Sequence, residues 1–219
     1  MKSLRFLLLS LTLLVSGVSC AQEEQSPLFD YWILSLSWSP QYCAESRDNA
    51  FGSTSSNTTS RQCSRDYAFV VHGLWPQNET GYPQDCDTSE RVDTDLADRM
   101  TPLMPDPNLV RHEWRTHGAC SGLPLNDYFM TLESVYRGFV IPEPYREAKQ
   151  FVTTNLLDLK RDFMSANPRL EEDQFVLQCN GRFLSEVRVC YDRNFRFRSC
   201  GEDVQDRCKS RDIVLRPKR

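Results

Sequence analysis

The sequence predicts an α+β domain, and three observations predict it. The hydrophobic period is that of strands over residues 30–38 and 67–74, that of helices between Asp106 and Ala166, and that of strands again from Gln174. Strands at both ends with helices between them fit an α+β domain better than a regularly alternating α/β one. Asn180-Gly181, set between two β-rich runs, is a strong short hairpin signal.

The N-terminus is set apart first. Met1 to Arg5 is basic, Phe6 to Val15 is apolar and Ser19-Cys20-Ala21 is small, the three regions of a secretory signal peptide. The expected division is therefore a signal peptide over residues 1–21 and a catalytic domain over 22–219. The alternative of a lipid-modified Cys20 fits less well, because Gly17-Val-Ser-Cys20 is a poor acylation signal. No segment approaches the ~18 apolar residues of a membrane span, so an exported protein without a span is expected, secreted or periplasmic after cleavage near Ala21. Loss of Lys2 and Arg5 moves the formal net charge from −4 to −6. A nucleic-acid partner would then be held by a local basic site and by base contacts, since backbone binding by counterion release needs a positive surface.

Asp30 to Trp38 and Tyr67 to Leu74 read as strands, separated by an exposed Ser/Thr/Asn-rich loop from Asn49 to Ser60. An irregular stretch follows from Pro76 to Asp87. Asp106 can cap a helix whose first position suits Pro107, and Gly118 can end it in a left-handed conformation. Asn126 to Gly138 carries Phe129, Leu132, Val135 and Tyr136 at helical spacing, and Pro144 to Ala166 reads as one helix or two. The C-terminal region reads as the hairpin Gln174–Cys179 and Arg182–Tyr191, with Phe195 to Cys200 continuing the meander.

Without Cys20, eight cysteines remain, Cys43, Cys63, Cys86, Cys120, Cys179, Cys190, Cys200 and Cys208. An even number in an exported chain implies disulfides, but spacing alone leaves 105 pairings open.

All three histidines lie in two short motifs, Phe69-Val-Val-His-Gly-Leu-Trp-Pro76 and His112-Glu-Trp-Arg-Thr-His-Gly-Ala-Cys120. Histidine titrates near neutrality without tuning, so this concentration points to acid–base chemistry. At about 100° per residue, Thr116, Glu113 and His117 fall about 40°, 100° and 140° from His112, all on one helical face. Trp114 and Arg115 lie off it, so Trp114 is expected to pack and Arg115 to flank the site or face solvent. Glu113 and His117, four apart, are expected to pair, which would orient the imidazole and raise its pKa. A zinc-protease helix needs His-Glu-x-x-His, and the spacing here sends the two imidazoles apart. No metal and no cofactor are expected.

The two motifs resemble the active-site segments of the ribonuclease T2 family. The resemblance extends through Leu34-Ser-Leu-Ser-Trp-Ser-Pro-Gln-Tyr-Cys43 and the four-cysteine C-terminal region, in a form similar to bacterial members of the ribonuclease I type. It implies a central antiparallel sheet flanked by helices in a disulfide-stapled single domain, and metal-independent endonucleolytic cleavage of single-stranded RNA. The ribose 2′-hydroxyl would attack its own phosphate, giving a 2′,3′-cyclic phosphate and then a 3′-phosphate. It implies His72, Glu113 and His117 as the catalytic group, with His117 the first-step base and His72 the acid, and His112 as a phosphate-binding residue. It also implies the disulfides Cys43–Cys63, Cys86–Cys120, Cys179–Cys208 and Cys190–Cys200.

One position departs from the family pattern. Many members carry Lys where this chain has Thr116, which can donate a hydrogen bond to phosphate but brings no charge. Trp38 and Trp75 are candidates for stacking on bases. The partner expected is single-stranded RNA, with the protein a monomer that needs no protein partner. The competing reading is a weakly catalytic RNA-binding or cytotoxic effector protein, which the trio His72, Glu113 and His117 disfavours.

Overall fold

The computed structural model describes residues 29–51 and 60–218; the expected signal peptide and most of the Ser/Thr/Asn-rich loop lie outside them. Six strands form one sheet in the order β2-β1-β5-β6-β3, with β4 also on β5. They are β1 Tyr31–Trp38, β2 Phe69–Gln77, β3 Val152–Thr154, β4 Phe175–Asn180, β5 Phe183–Tyr191 and β6 Ile213–Leu215. All pairings are antiparallel except a single parallel bridge between β5 and β6 at Phe183 and Val214. The helices are α1 Ser39–Phe51, α2 Thr94–Met100, α3 Pro107–Thr116, α4 Leu125–Gly138, α5 Glu143–Arg146 and α6 Leu156–Ala166. The chain is thus an α+β domain.

Alternation along the strands gives the sheet two unlike faces. Leu34, Leu36, Val71, Leu74, Val187 and Val189 belong to the main core, packed with Tyr128, Phe129 and Leu132 of α4 and Phe163 of α6. The other face carries a small apolar cluster of Tyr31, Ile33, Trp75 and Cys190. Beside it lie the polar side chains that alternate with the core residues, Glu186 and Arg188 among them. The disulfides Cys43–Cys63, Cys86–Cys120, Cys179–Cys208 and Cys190–Cys200 tie loops to this frame.

The structure corrects several local expectations. The strand carrying the first motif runs on through Pro76 to Gln77. Proline is tolerated there because β2 is an edge strand. The loop expected from Asn49 begins later, since α1 continues to Phe51. Gly118 does not end α3; a 3-10 turn, Gly118–Ser121, follows it, and Gly122 takes the left-handed conformation at φ 73°. The hairpin loop is Gly181-Arg182, not Asn180-Gly181, because Asn180 pairs with Phe183. Positive φ at Gly181 alone is the pattern of a type II′ turn. Of the one helix or two expected over Pro144 to Ala166, two form, with the unexpected strand β3 between them, and Phe195 to Cys200 gives only a single bridge from Phe197 to Tyr191.

Candidate active site

His72 owes its place to an irregularity in the sheet. Ser35 of β1 pairs with Gly73 and Leu36 with Val71, so His72 is the extra residue of a β-bulge. A bulge re-aims a side chain, and here both His72 and Trp75 reach the face opposite the main core. The imidazole lies edge-on to the Trp75 indole, 5.1 Å between centroids. Its Nδ1 meets Glu186 Oε1 of β5 at 2.5 Å, and Ser37 Oγ of the intervening β1 donates to the same oxygen at 3.3 Å. The Nε2 edge is left facing Glu113 Oε1 at 3.6 Å.

The second motif sits on α3, started as the sequence predicts: the Asp106 side chain accepts from Asn108 N–H and Pro107 opens the first turn. Glu113 is fully buried, and its Oε2 accepts from Trp75 Nε1 at 2.7 Å. This bond crosses Gly73, where a Cβ would overlap both partners, so the glycine of His-Gly-Leu-Trp makes room for the carboxylate of the other motif. His117 lies just past the helix, and its ring centroid is 5.3 Å from that of Trp75. The Trp75 indole therefore touches both His72 and His117 and hydrogen-bonds Glu113. Around the rim, His112 Nδ1 lies 3.4 Å from both Thr116 Oγ1 and Arg115 Nη2. Cys86–Cys120 and the Asp85 N–H to Thr116 carbonyl bond clip the loop after β2 to the end of α3.

The surroundings push the two inner histidines in opposite directions. Burial alone would lower His72, but the Glu186 hydrogen bond and the charges of Glu186 and Glu113 outweigh it and raise its pKa. Burial, reinforced by the charges of His112 and His72, takes His117 down to about 4. His112 is lowered as well, by desolvation and the Arg115 charge. Burial lifts Glu113 to about 7, against the His72 charge and the Trp75 hydrogen bond. Burial also works to raise Glu186, yet the bond and charge of His72 and the Arg188 guanidinium bring it to about 2. One imidazole thus favours its charged form with Nε2–H free, and the other its neutral form. Glu113 Oε1 and His117 Nδ1 are buried without a hydrogen-bond partner. Such a set can give and take a proton at one bound group.

The structure thus brings His72, Glu113, His117, His112, Thr116 and Trp75 together. It corrects four readings. Glu113 turns to Trp75 and His72 rather than to His117, because His117 leaves the helical path. The pKa of His117 is accordingly lowered, not raised. Trp38 is fully buried with Nε1 donating to the Arg216 carbonyl, so it offers no face to a base. Trp75 too is largely buried, between the histidines. Trp114 packs as expected, and Arg115 flanks the site beside His112.

Sequence reasoning missed Glu186, Arg188 and Tyr82. The first two stand two apart on a strand, a period that puts them on one face, but nothing in the sequence says that this strand lies beside β1. Tyr82 is exposed, with its ring 6.1 Å from that of His117, in a stretch read only as irregular. Among the described residues no group of three His, Cys, Asp or Glu is placed to hold a metal ion. No helix among them is long and apolar enough to cross a membrane.

The sequence matches the Ribonuclease T2 family over residues 29–200. A ribonuclease of Aeromonas hydrophila is 45% identical over 198 residues, covering 86% of each chain. Among solved structures, an RNase-related protein from Calystegia sepium aligns with a TM-score of 0.68 at 19% identity, covering 87% of this chain and 98% of its own. RNase NT in complex with 5′-AMP aligns with a TM-score of 0.61 at 22% identity, over 86% and 98%. At these identities the solved structures speak for the fold, and the sequence matches speak for the family. With both histidine motifs inside the matched segment, the chain belongs to the Ribonuclease T2 family and is an enzyme of the ribonuclease T2 type.

Proposed function

We propose that this ribonuclease is exported and cleaves single-stranded RNA endonucleolytically, without a metal, through a 2′,3′-cyclic phosphate. The observation that carries the mechanism is the convergence of His72 and His117 on Trp75 beside buried Glu113, with Nδ1 of His72 held by Glu186 and Nδ1 of His117 without a partner. Neutral His117 takes the proton of the ribose 2′-hydroxyl as that oxygen bonds to phosphorus. The bond from phosphorus to the 5′-oxygen breaks, and charged His72 gives its Nε2 proton to the departing oxygen. In the second step the histidines exchange roles: His72 takes a proton from water as its oxygen bonds to phosphorus, the bond from phosphorus to the 2′-oxygen breaks, and His117 returns a proton to that oxygen, giving a 3′-phosphate. His112 and Thr116 hold phosphate at the rim. Glu113 fixes Trp75 and faces His72 with its partnerless Oε1. The 2′-hydroxyl requirement selects RNA over DNA. Exposed Tyr82 offers the stacking face that Trp38 and Trp75 lack.

Export rests on the three-part N-terminal segment and on four disulfides, which persist in oxidising compartments. The mature chain would comprise residues 22–219. The charge missing at Thr116 is supplied, in this reading, by Arg115 beside His112.

The test is to incubate purified protein with RNA and with single-stranded DNA in excess chelator and analyse the product ends. RNA cleavage with 2′,3′-cyclic phosphate ends is expected. Cleavage abolished by chelator, or cleavage of DNA, overturns the mechanism; RNA binding without cleavage overturns the function. An Arg115→Ala rate equal to wild type removes the arginine from the account.

A further inference from the structure

The first-step acid is held by groups that lie outside both motifs. His72 sits at a bulge on an edge strand, where the backbone alone fixes its ring poorly. Glu186 belongs to β5, two strands away across β1, in register with Ser37. Strands two apart are separated by roughly 10 Å, so His72 and Glu186 meet only because both are long and the residue between them is a serine. The Ser37 hydroxyl donates to Glu186 Oε1 instead of blocking the bridge.

The other carboxylate oxygen is gripped separately. Arg188 Nε and Nη2 both donate to Glu186 Oε2, at 2.8 and 2.7 Å. The guanidinium is itself fixed over the Trp75 ring, 5.0 Å from its centroid. His72, Glu186, Arg188 and Trp75 thus form a closed ring of side chains, since Trp75 also touches His72. Glu186 Oε1 is left with its acceptor capacity directed at Nδ1–H, and the imidazole can only present Nε2–H to the site.

Resting on the ribonuclease reading, we propose that Glu186, clamped by Arg188, is the positioning residue that fixes the tautomer and the charge of His72 and so makes it a proton donor to the leaving 5′-oxygen. Glu186 does not itself touch the reacting atoms and keeps its own ionisation through the cycle, as a carboxylate behind an imidazole does in hydrolase triads. The groups that set His72 are Glu186 and Arg188 from β5, Ser37 from β1, Glu113 from α3 and Trp75 from its own strand. The charge of His72 in turn lowers both His112 and His117, and that of His112 lowers His117.

The experiment compares wild type, Glu186→Gln and Glu186→Asp by two measurements. The first follows the His72 ring nitrogens by NMR through a pH titration of the mature protein without substrate, with the melting temperature as a folding control. Glu186→Gln should bring the His72 titration to lower pH and disturb the Nδ1–H tautomer signature. The second uses two substrates with the same 3′-phosphorylated ribonucleoside, one leaving as a ribonucleoside 5′-alcohol and one as 4-nitrophenolate, which needs no proton. Glu186→Gln should lose roughly 10²-fold in kcat on the first and only a few-fold on the second, with Glu186→Asp between. An unchanged His72 titration, or equal losses on both substrates in a folded variant, overturns the proposal. Failure of wild type to cleave either substrate overturns the ribonuclease mechanism instead, and leaves the titration as the test of the His72–Glu186 pairing.

Discussion

The strand motif and the helix motif each bring one inner histidine to the same tryptophan, yet they treat the two rings differently. His72 is held at Nδ1 by a carboxylate at 2.5 Å, in a ring of side chains that spans three strands. His117 lies past the end of α3 with its Nδ1 buried and unpartnered. Both are desolvated, and desolvation opposes the charge on both. What separates them is a hydrogen-bonded carboxylate, which only His72 receives; the Asp85 charge works to raise His117 but does not offset its burial. Burial sets a neutral imidazole as the default, and a hydrogen-bonded carboxylate, seconded by the Glu113 charge, tips one of two similar residues toward its charged form.

The largest expected effect comes from removing either ring. His72→Ala and His117→Ala should each cost roughly 10²–10⁴-fold in kcat/KM. Wild-type kcat/KM should rise through about pH 4 as His117 loses its proton, and fall on the high-pH side as His72, held above its ordinary value by Glu186, loses its own. His117→Ala should erase the acidic limb and keep the alkaline one; His72→Ala should do the reverse. PH profiles of the residual activity check this, and loss of the same limb in both variants would show that the rings are not differentiated.

A smaller effect tests the seam between the motifs. Gly73 has no positive φ, so Ala suits its backbone, but the added methyl would overlap Glu113 Oε2 and Trp75 Nε1. Overpacking of this kind costs about 1–3 kcal/mol. Gly73→Ala should lower the melting temperature and, by parting Glu113 from Trp75, lower kcat more than it raises KM. Wild-type kcat in a Gly73→Ala protein would mean that the Glu113–Trp75 bond does not serve catalysis.

How much of this was legible in the sequence follows from how local each signal is. His112, Glu113, Thr116 and His117 lie within six residues, so helical geometry alone gathers them, and Asp106-Pro107 announces where that helix starts. The break at His117 was not legible, because it depends on the 3-10 turn that Cys86–Cys120 and Asp85 hold in place. Glu186 lies 114 residues from His72, and no period within either strand says that β1 runs between them. The strand between α5 and α6 has the same origin. Val152-Thr153-Thr154 becomes a strand by pairing with Ile213–Leu215 near the other end of the chain. Trp38 was misread because an aromatic residue near a motif looks like a base platform until the core closes over it.

The smallest expected effect concerns stability, and it distinguishes the two glutamates that flank His72. Glu113 is raised from 4.5 to about 7, chiefly by burial, so the folded protein holds its proton more tightly than the unfolded chain does. The associated stability is complete below pH 4.5 and is lost as pH rises through about 7. Glu186 is lowered to about 2, so its contribution is present above pH 4.5 and is lost as pH falls through about 2. Replacing each by Gln should therefore change stability with opposite sign at pH 8. Glu113→Gln keeps an acceptor for Trp75 Nε1 while removing a buried charge, and should gain on the order of 1 kcal/mol, about 2–4 °C in melting temperature for a domain of this size. At pH 4.5 the same variant should gain nothing. Glu186→Gln should melt below wild type at pH 8, because it strands both His72 and Arg188. His72 also loses stabilisation as pH rises through its own raised pKa, so the informative quantity is the difference between Glu113→Gln and wild type across pH 4.5 to 8, not the slope of either alone. A Glu113→Gln protein that melts below wild type at pH 8 would mean that the Glu113 charge stabilises the fold through His72 by more than its burial costs.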